Sequence, residues 1–290
     1  MGKASEHASK PSRNTYIIDT EKYGAETSRL LLQDKLFTQA MGGTLPATYD
    51  LTGVTRILDI ACGPGGWALE VAYQHSDIEV VGIDISPAMI EYARSQAQVQ
   101  HLENAAFLVM DTRTPLAFPD ASFDLINARL LLSFMKPQNW PPFLRECLRL
   151  LRGGGRLRWT EVEAAFTSSA AYEQYARFFS QALYRAGQSF SPDGYHIGLL
   201  PMMLPLLRQA GFQSVSSQTA AQEGSFGTAA YSSAFQDTAL TFLLLQPFLV
   251  EQGVAAQEEL ESLYQQVLAD WQDEHFCALF FLFSAWGQKA

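Results

Sequence analysis

The stretch Arg56-Ile-Leu-Asp-Ile-Ala-Cys-Gly-Pro-Gly-Gly-Trp-Ala-Leu-Glu70 constrains the fold more than any other part of this chain. It reads as a short buried strand, a tight glycine turn and the first turns of a helix. Asp59 stands inside the strand just before the turn, and a second acid, Asp84, ends the next apolar run, Val80-Val-Gly-Ile-Asp84. A strand, a glycine turn and a helix, followed by an acid at the tip of the next strand, is a way for an α/β sheet to hold a nucleoside.

The rest of the chain fits that start. Strands are expected at Glu79–Ile83, Ala106–Met110, Phe123–Ile126 and Arg156–Val162. Helices are expected at Gly66–Tyr73, from Ser86 to about Gln98, and at Trp140–Leu151, the last stopped by Gly153–Gly155. Ser86 suits an N-cap with Pro87 at the first helical position. Strands that alternate with helices imply a parallel sheet covered on both faces. Residues 1–14 read as a disordered tail, 15–50 as an N-terminal helical cap, 51–165 as the cofactor-binding core, and 166–290 as completion of the sheet. After residue 165 the pattern predicts helices over 169–187, 197–210, 229–250 and 256–272, and strands over 212–219 and 276–285.

Composition narrows the function. Lys and Arg number 20 against 30 Asp and Glu, a formal net charge of -10, and there is no basic run. Binding DNA or RNA requires clustered cations, so a small molecule is the expected partner. The three cysteines, Cys62, Cys147 and Cys277, are far apart and form no metal-ligating pair. They suit a reducing cytoplasm, and no metal site is expected. The N-terminus is polar and lacks an apolar signal core. No apolar run approaches the roughly 20 residues that a membrane helix needs.

The turn alone leaves two cofactors open. Gly63-x-Gly65-x-x-Ala68 satisfies the dinucleotide pattern, and Asp84 follows Gly63 by 84 − 63 = 21 residues, near the spacing of a ribose-binding acid. Three features favour a sulfonium nucleoside over NAD. Asp59 would repel a pyrophosphate but suits an ammonium. Asp111 ends the third strand, where it can accept from an adenine amino group. A helical segment precedes the first strand.

The segments Leu58-Asp-Ile-Ala-Cys-Gly-Pro-Gly65, Gly82-Ile-Asp84-Ile-Ser-Pro-Ala-Met89, Val109-Met-Asp111, Phe123-Asp-Leu-Ile-Asn127 and Leu150-Leu-Arg-Gly-Gly-Gly155 resemble, in order and spacing, the class I S-adenosylmethionine-dependent methyltransferases. The resemblance is specific over residues 54–162 and nearly silent over 165–275. It implies a doubly wound, mostly parallel seven-stranded sheet with an antiparallel last strand, N-terminal helices and a helical lid. It also implies S-adenosylmethionine as the methyl donor and S-adenosylhomocysteine as the product. Gly63 and Gly65 would pass under the methionine part, with Ala61 where the family's first glycine stands. Asp59 would orient the loop or meet the ammonium through water. Asp84 would take the ribose hydroxyls, with Ile85 and Met89 beside the nucleoside. Asp111 and Thr112 would meet the adenine, and Asn127 and Ala128 the sulfonium end. Arg29, on the leading helix, either holds the cofactor's carboxylate or forms a salt bridge.

Three residues are candidates for work on the acceptor: Arg129 after the fourth strand, Glu161 at the end of the fifth, and His196 in the loop Ser191–His196. His196 is the first candidate base because histidine titrates near neutrality. Residues 220–275 interrupt what is usually a short hairpin with two helices rich in Tyr231, Phe235, Phe242, Leu243, Phe248, Leu263 and Tyr264. They serve either to roof an apolar pocket or to form a homodimer interface. The expected acceptor is a small apolar or aromatic molecule, natural-product-like or quinone-like. The rival readings are a nicotinamide-dependent oxidoreductase and a non-catalytic protein that keeps the cofactor fold.

Overall fold

The computed structural model describes residues 16–17, 23–46 and 49–290, so the tail expected over residues 1–14 lies outside the described residues. A leading helix, α1 (Tyr23–Ala40), precedes a regular alternation of strand and helix. β1 (Arg56–Ile60), α2 (Gly66–Gln74), β2 (Glu79–Asp84), α3 (Pro87–Val99), β3 (Ala105–Val109), β4 (Phe123–Arg129), α4 (Trp140–Leu150) and β5 (Leu151–Val162) follow in order. Beyond β5 come a two-residue β6 (Phe166–Thr167), α5 (Ala170–Arg185), α6 (Leu200–Ala210), β7 (Gln213–Glu223), α7 (Tyr231–Glu251), α8 (Gln257–Trp271) and β8 (Ala278–Gln288).

The seven long strands lie in the order β3-β2-β1-β4-β5-β8-β7, and all run parallel except β8. β8 is antiparallel to β5 from Arg156↔Gln288 to Val162↔Leu282, and to β7 from Gln213↔Gln288 to Glu223↔Leu279. The short β6 pairs with β8 at Phe166↔Leu279 and continues the β5 edge, one strand more than the sequence suggested. Gly153–Gly155 does not form a loop after α4. The helix ends at Leu150, β5 begins at Leu151, and the glycines lie within β5 beside an irregularity in its pairing with β4. A Cβ on Gly155 would stand 2.9 Å from the Arg152 carbonyl oxygen, so the strand can bend there only around glycine.

Strand alternation divides the core between the two faces of the sheet. Ile57, Val80 and Leu125 pack with Trp67, Ala68, Val71, Ile90 and Ala93 of α2 and α3. Leu58, Ile60, Val81, Ile83 and Ile126 face a larger cluster that takes in α4, α5, α6, α7 and α8. There Trp140 and Trp159 meet with ring centroids 4.4 Å apart, and Tyr175 stacks on Phe242 at 4.0 Å. Among the described residues no helix is long and apolar enough to cross a membrane.

One side chain fixes how α2 returns to the sheet. Asn104, just before β3, donates its amide to the carbonyl oxygens of Ala72 (3.0 Å), His75 (3.0 Å) and Ile78 (2.9 Å). These carbonyls include ones that the helix end leaves without an intrahelical donor. Asn104→Ala should therefore lower the unfolding free energy by about 1–3 kcal/mol, measured by urea denaturation.

Candidate active site

The carboxyl ends of β1, β2, β3, β4 and β5 open into a cavity of ≈ 530 Å³, whose far side is made by α1, α5, α7 and β8. It falls where the strand order turns between β1 and β4, the place where open α/β sheets bind ligands.

The turn after β1 forms its floor. A Cβ at Gly63 (φ 53°) would meet nothing nearer than Leu30 Cδ1 at 3.6 Å, so the backbone there is open to a ligand. Gly65 works differently. At φ 84° its missing Cβ would lie 2.8 Å from Ala93 Cβ and 2.9 Å from Phe107 Cε1, so glycine lets the turn pack on α3 and β3. Gly65 itself does not line the cavity. Ala61 takes φ 56°, the left-handed conformation that explains why a glycine is usual at this place.

Asp84 ends β2 and accepts one amide at each oxygen, Gly63 N–H at 3.0 Å and Ser86 N–H at 2.8 Å. A carboxylate has about four acceptor sites, so about two remain for hydroxyl donors. Burial pushes its pKa above the usual range, against the pull of those amides. Ser86, not Asp84, caps α3 by accepting from Met89 N–H. Ile85 is half-exposed at the rim, and Met89, Met110 and Thr112 line the same end. Asp111 accepts from the backbone and guanidinium of Arg113, which fix its carboxylate.

A buried polar row crosses three strands in register, Asp59↔Asn127 and Asn127↔Arg158. Asn127 donates to Asp59 Oδ1 at 2.7 Å. Asp59 faces the cavity, whereas Asn127 and Ala128 lie behind it. Burial drives the Asp59 carboxyl up to about 7, opposed by the Arg129 charge and the Asn127 hydrogen bond.

α1 closes this side through ions. Asp34 pairs with Arg129, which also donates to Thr38 Oγ1 at 3.2 Å. Arg29 is buried, bonded to Glu26 at 2.7 and 2.9 Å and to Asp237 of α7 at 3.3 Å. Its guanidinium thus already carries carboxylate partners of this chain. Tyr16 donates to Glu26 at 2.5 Å. The other side of the cavity is apolar, with Phe37, Phe134, Val162, Phe179, Leu245 and Leu282 among the walls.

Two expected catalytic residues lie elsewhere. His196 stands exposed outside the cavity, because the loop after α5 turns its neighbour Ile197 inward instead. Glu161 is fully buried on the opposite face of β5 from the cavity residues Thr160 and Val162. There it accepts from Leu131 N–H (2.9 Å), Leu132 N–H (3.3 Å) and Trp159 Nε1 (2.8 Å), so it holds the backbone after β4. Burial raises its pKa to about 8. Trp67, in the first turn of α2, donates to the Thr44 carbonyl at 2.7 Å and is buried away from the cavity. Glu26, Asp34, Glu163 and Asp237 line the cavity although the sequence did not single them out. Asp237 did leave a signal, as the lone charge between Tyr231 and Val250. Among the described residues no cluster of side chains could hold a metal ion. Arg29→Met leaves Glu26 and Asp237 buried without their cation and should cost about 3–5 kcal/mol of stability, read from urea unfolding.

Comparison with known proteins places this geometry. The family described as "Methyltransferase domain" matches residues 57–155. The 27-O-demethylrifamycin SV methyltransferase of Amycolatopsis mediterranei is 36% identical over 120 residues, 41% of this chain and 42% of that protein. The aklanonic acid methyltransferase DauC of a Streptomyces species is 38% identical over 125 residues, 43% of this chain and 56% of that protein. The match thus spans about half the length of these curated relatives. The YcgJ protein of Bacillus subtilis has the same fold, with a TM-score of 0.51 at 17% identity, covering 90% of this chain and 98% of that one. The segment that carries the glycine turn, Asp84 and Asp111 is a methyltransferase domain of the class I, S-adenosylmethionine-dependent kind.

Proposed function

We propose that the whole chain transfers a methyl group from S-adenosylmethionine to a small, largely apolar organic acceptor. The observation that carries this reading is the strip of donor-binding groups along the strand tips, continuous with an apolar chamber walled by α5, α7 and β8. The residues suit the donor. Gly63 leaves the backbone open, Asp84 keeps acceptor sites for two ribose hydroxyls, and Ile85 offers an apolar surface for a base. Asp111, oriented by Arg113, stands toward the adenine amino group, with Thr112 beside it. Asp59 faces the place of an ammonium. Asn127 and Ala128 support that place from behind, and Asn127 orients the carboxylate.

When bound, S-adenosylmethionine supplies a methyl group already activated on a sulfonium. What remains for the protein is alignment and exclusion of water, and positioning of this kind is worth roughly 7–11 kcal/mol. Arg129, fixed by Asp34 and Thr38, lines the cavity. The apolar walls keep water from the reacting atoms. The two curated relatives act on 27-O-demethylrifamycin SV and on aklanonic acid, which supports an organic acceptor of natural-product type here. The absence of a basic surface run supports a small molecule over a nucleic acid. Three widely spaced free cysteines support a cytoplasmic location.

Calorimetry tests the donor. S-adenosylhomocysteine should bind in preference to NAD, and Asp84→Ala should weaken it at least tenfold, the loss of charge-assisted bonds worth roughly 1.5–3 kcal/mol each. Tight NAD binding with none of S-adenosylhomocysteine would sink the reading.

The pH dependence has a definite sign. Asp59 is protonated below about 7 and ionised above it, and an ammonium ligand favours the ionised form. Donor affinity should fall toward tenfold per pH unit below about 7. It should also fall above the ligand's own amino pKa, roughly 8 for an α-amino group. Asp59→Asn should flatten the acidic limb, read by titration between pH 5.5 and pH 9 on the order of half-unit steps.

A further inference from the structure

α7 is an apolar helix with one charge before its last residue, Glu251. From Tyr231 to Val250 the only ionisable carboxyl is Asp237, which is 7% exposed and lines the cavity. A carboxylate there needs strong partners if it serves only to hold the helix. Its partners are weak. Arg29 Nη1 reaches Oδ1 at 3.3 Å, and the Gln33 amide reaches the two oxygens at 3.4 and 3.3 Å. The short bonds of Arg29, at 2.7 and 2.9 Å, go to Glu26 instead, which also takes the Tyr16 hydroxyl at 2.5 Å. Glu26 is therefore the structural counter-ion, and Asp237 is left under-bonded. Tyr172 and Phe242, with ring centroids 5.0 Å apart, line the same cavity, as do Thr238 and Thr241.

The charges around the cavity say which acceptor group fits. Each arginine on its walls is paired to a carboxylate of this chain: Arg29 to Glu26, Arg113 to Asp111 and Arg129 to Asp34. Among the described residues, a carboxylate or phosphate acceptor would meet no unpaired arginine on these walls. A neutral group that carries a proton would meet Asp237.

We infer that Asp237 is the catalytic base and that the acceptor is a hydroxyl on an apolar, ring-bearing molecule held against Tyr172 and Phe242. This deepens the methyltransferase reading and rests on it. In the step, the acceptor oxygen forms a bond to the methyl carbon and the carbon–sulfur bond breaks. Its electron pair stays on sulfur, which becomes a neutral thioether, and the hydroxyl proton moves to Asp237. Burial raises the Asp237 carboxyl above its usual range, opposed by Arg29 and Gln33, which makes it a better base than an exposed aspartate. The ionisable groups facing it are Glu26 and Arg29 from α1 and Tyr172 from α5, with Tyr16 bonded to Glu26.

The test needs no turnover at its first stage. 1-Naphthol and naphthalene are titrated into the full chain by calorimetry, in wild type and in Asp237→Asn. Wild type should prefer the hydroxyl compound by about tenfold or more, the ratio that one hydrogen bond to a charged group supplies. Asp237→Asn should lose most of that preference while its naphthalene affinity stays within about twofold. Asp237→Glu, which keeps the carboxylate, should restore the preference and guards against a folding defect in the amide variant. Equal preference in wild type and Asp237→Asn overturns the assignment, as does failure of both probes to bind. In the second stage, S-adenosylhomocysteine production from hydroxylated aromatics is followed against pH. With S-adenosylmethionine held saturating, so that the Asp59 limb in donor affinity does not enter, wild type should show an acidic limb that Asp237→Asn lacks, and an unchanged limb overturns the base role. A hydroxyl preference that tracks Asp237 without any methyl transfer would retain the binding site and reject the methyltransferase reading, so the two failures are distinct.

Discussion

The cavity depends on ion pairs that fasten α1 to two separate parts of the chain. Arg29 ties the helix to α7 through Asp237, and Asp34 ties it to the tip of β4 through Arg129. Both pairs are largely removed from water, where a lone charge would cost several kcal/mol. Loss of either arginine would strand a largely buried carboxylate, Asp237 in one pair and Asp34 in the other. The leading helix is therefore committed to one position across the strand tips, and the walls of the cavity are set together.

Much of the core was legible because its signals are local. Buried parallel strands read as apolar runs, glycines mark the turns, and Ser86-Pro87 marks a helix start. β1 spans Arg56–Ile60 as expected, and α3 starts at Pro87 behind its Ser86 cap. Asp84 stands where its place after β2 put it, with both oxygens turned on the glycine turn and the next helix. Gly153–Gly155 misled because three glycines usually stop a helix. Here they serve the bend of a long strand whose partner across the sheet is far away in sequence.

The acceptor side was less legible for a physical reason. Which face of β5 looks into the cavity is decided by its pairing with β4 and β8, so the strand's own sequence cannot distinguish Glu161 from Thr160. His196 has ordinary histidine chemistry but sits on a loop whose inward residue is Ile197. Asp237 is distant from Arg29 in sequence, and only packing brings them together. A residue type suggests a chemistry, but tertiary contacts choose which copy of that residue uses it.

The antiparallel β8 has a consequence for how the molecule comes into being. β5, β6 and β7 all take hydrogen bonds from β8, which leaves the ribosome after every one of them. Until its residues emerge, the β5 edge of the nascent sheet stays open, and β7 has no neighbour to pair with. The first five strands can already assemble through sequential crossovers, since their pairings need only residues made earlier. Synthesis thus passes through a stage with five of the eight strands paired and an open edge in need of cover. The closing of that edge and the completion of the cavity, which Phe280 and Leu282 of β8 line, are one late event.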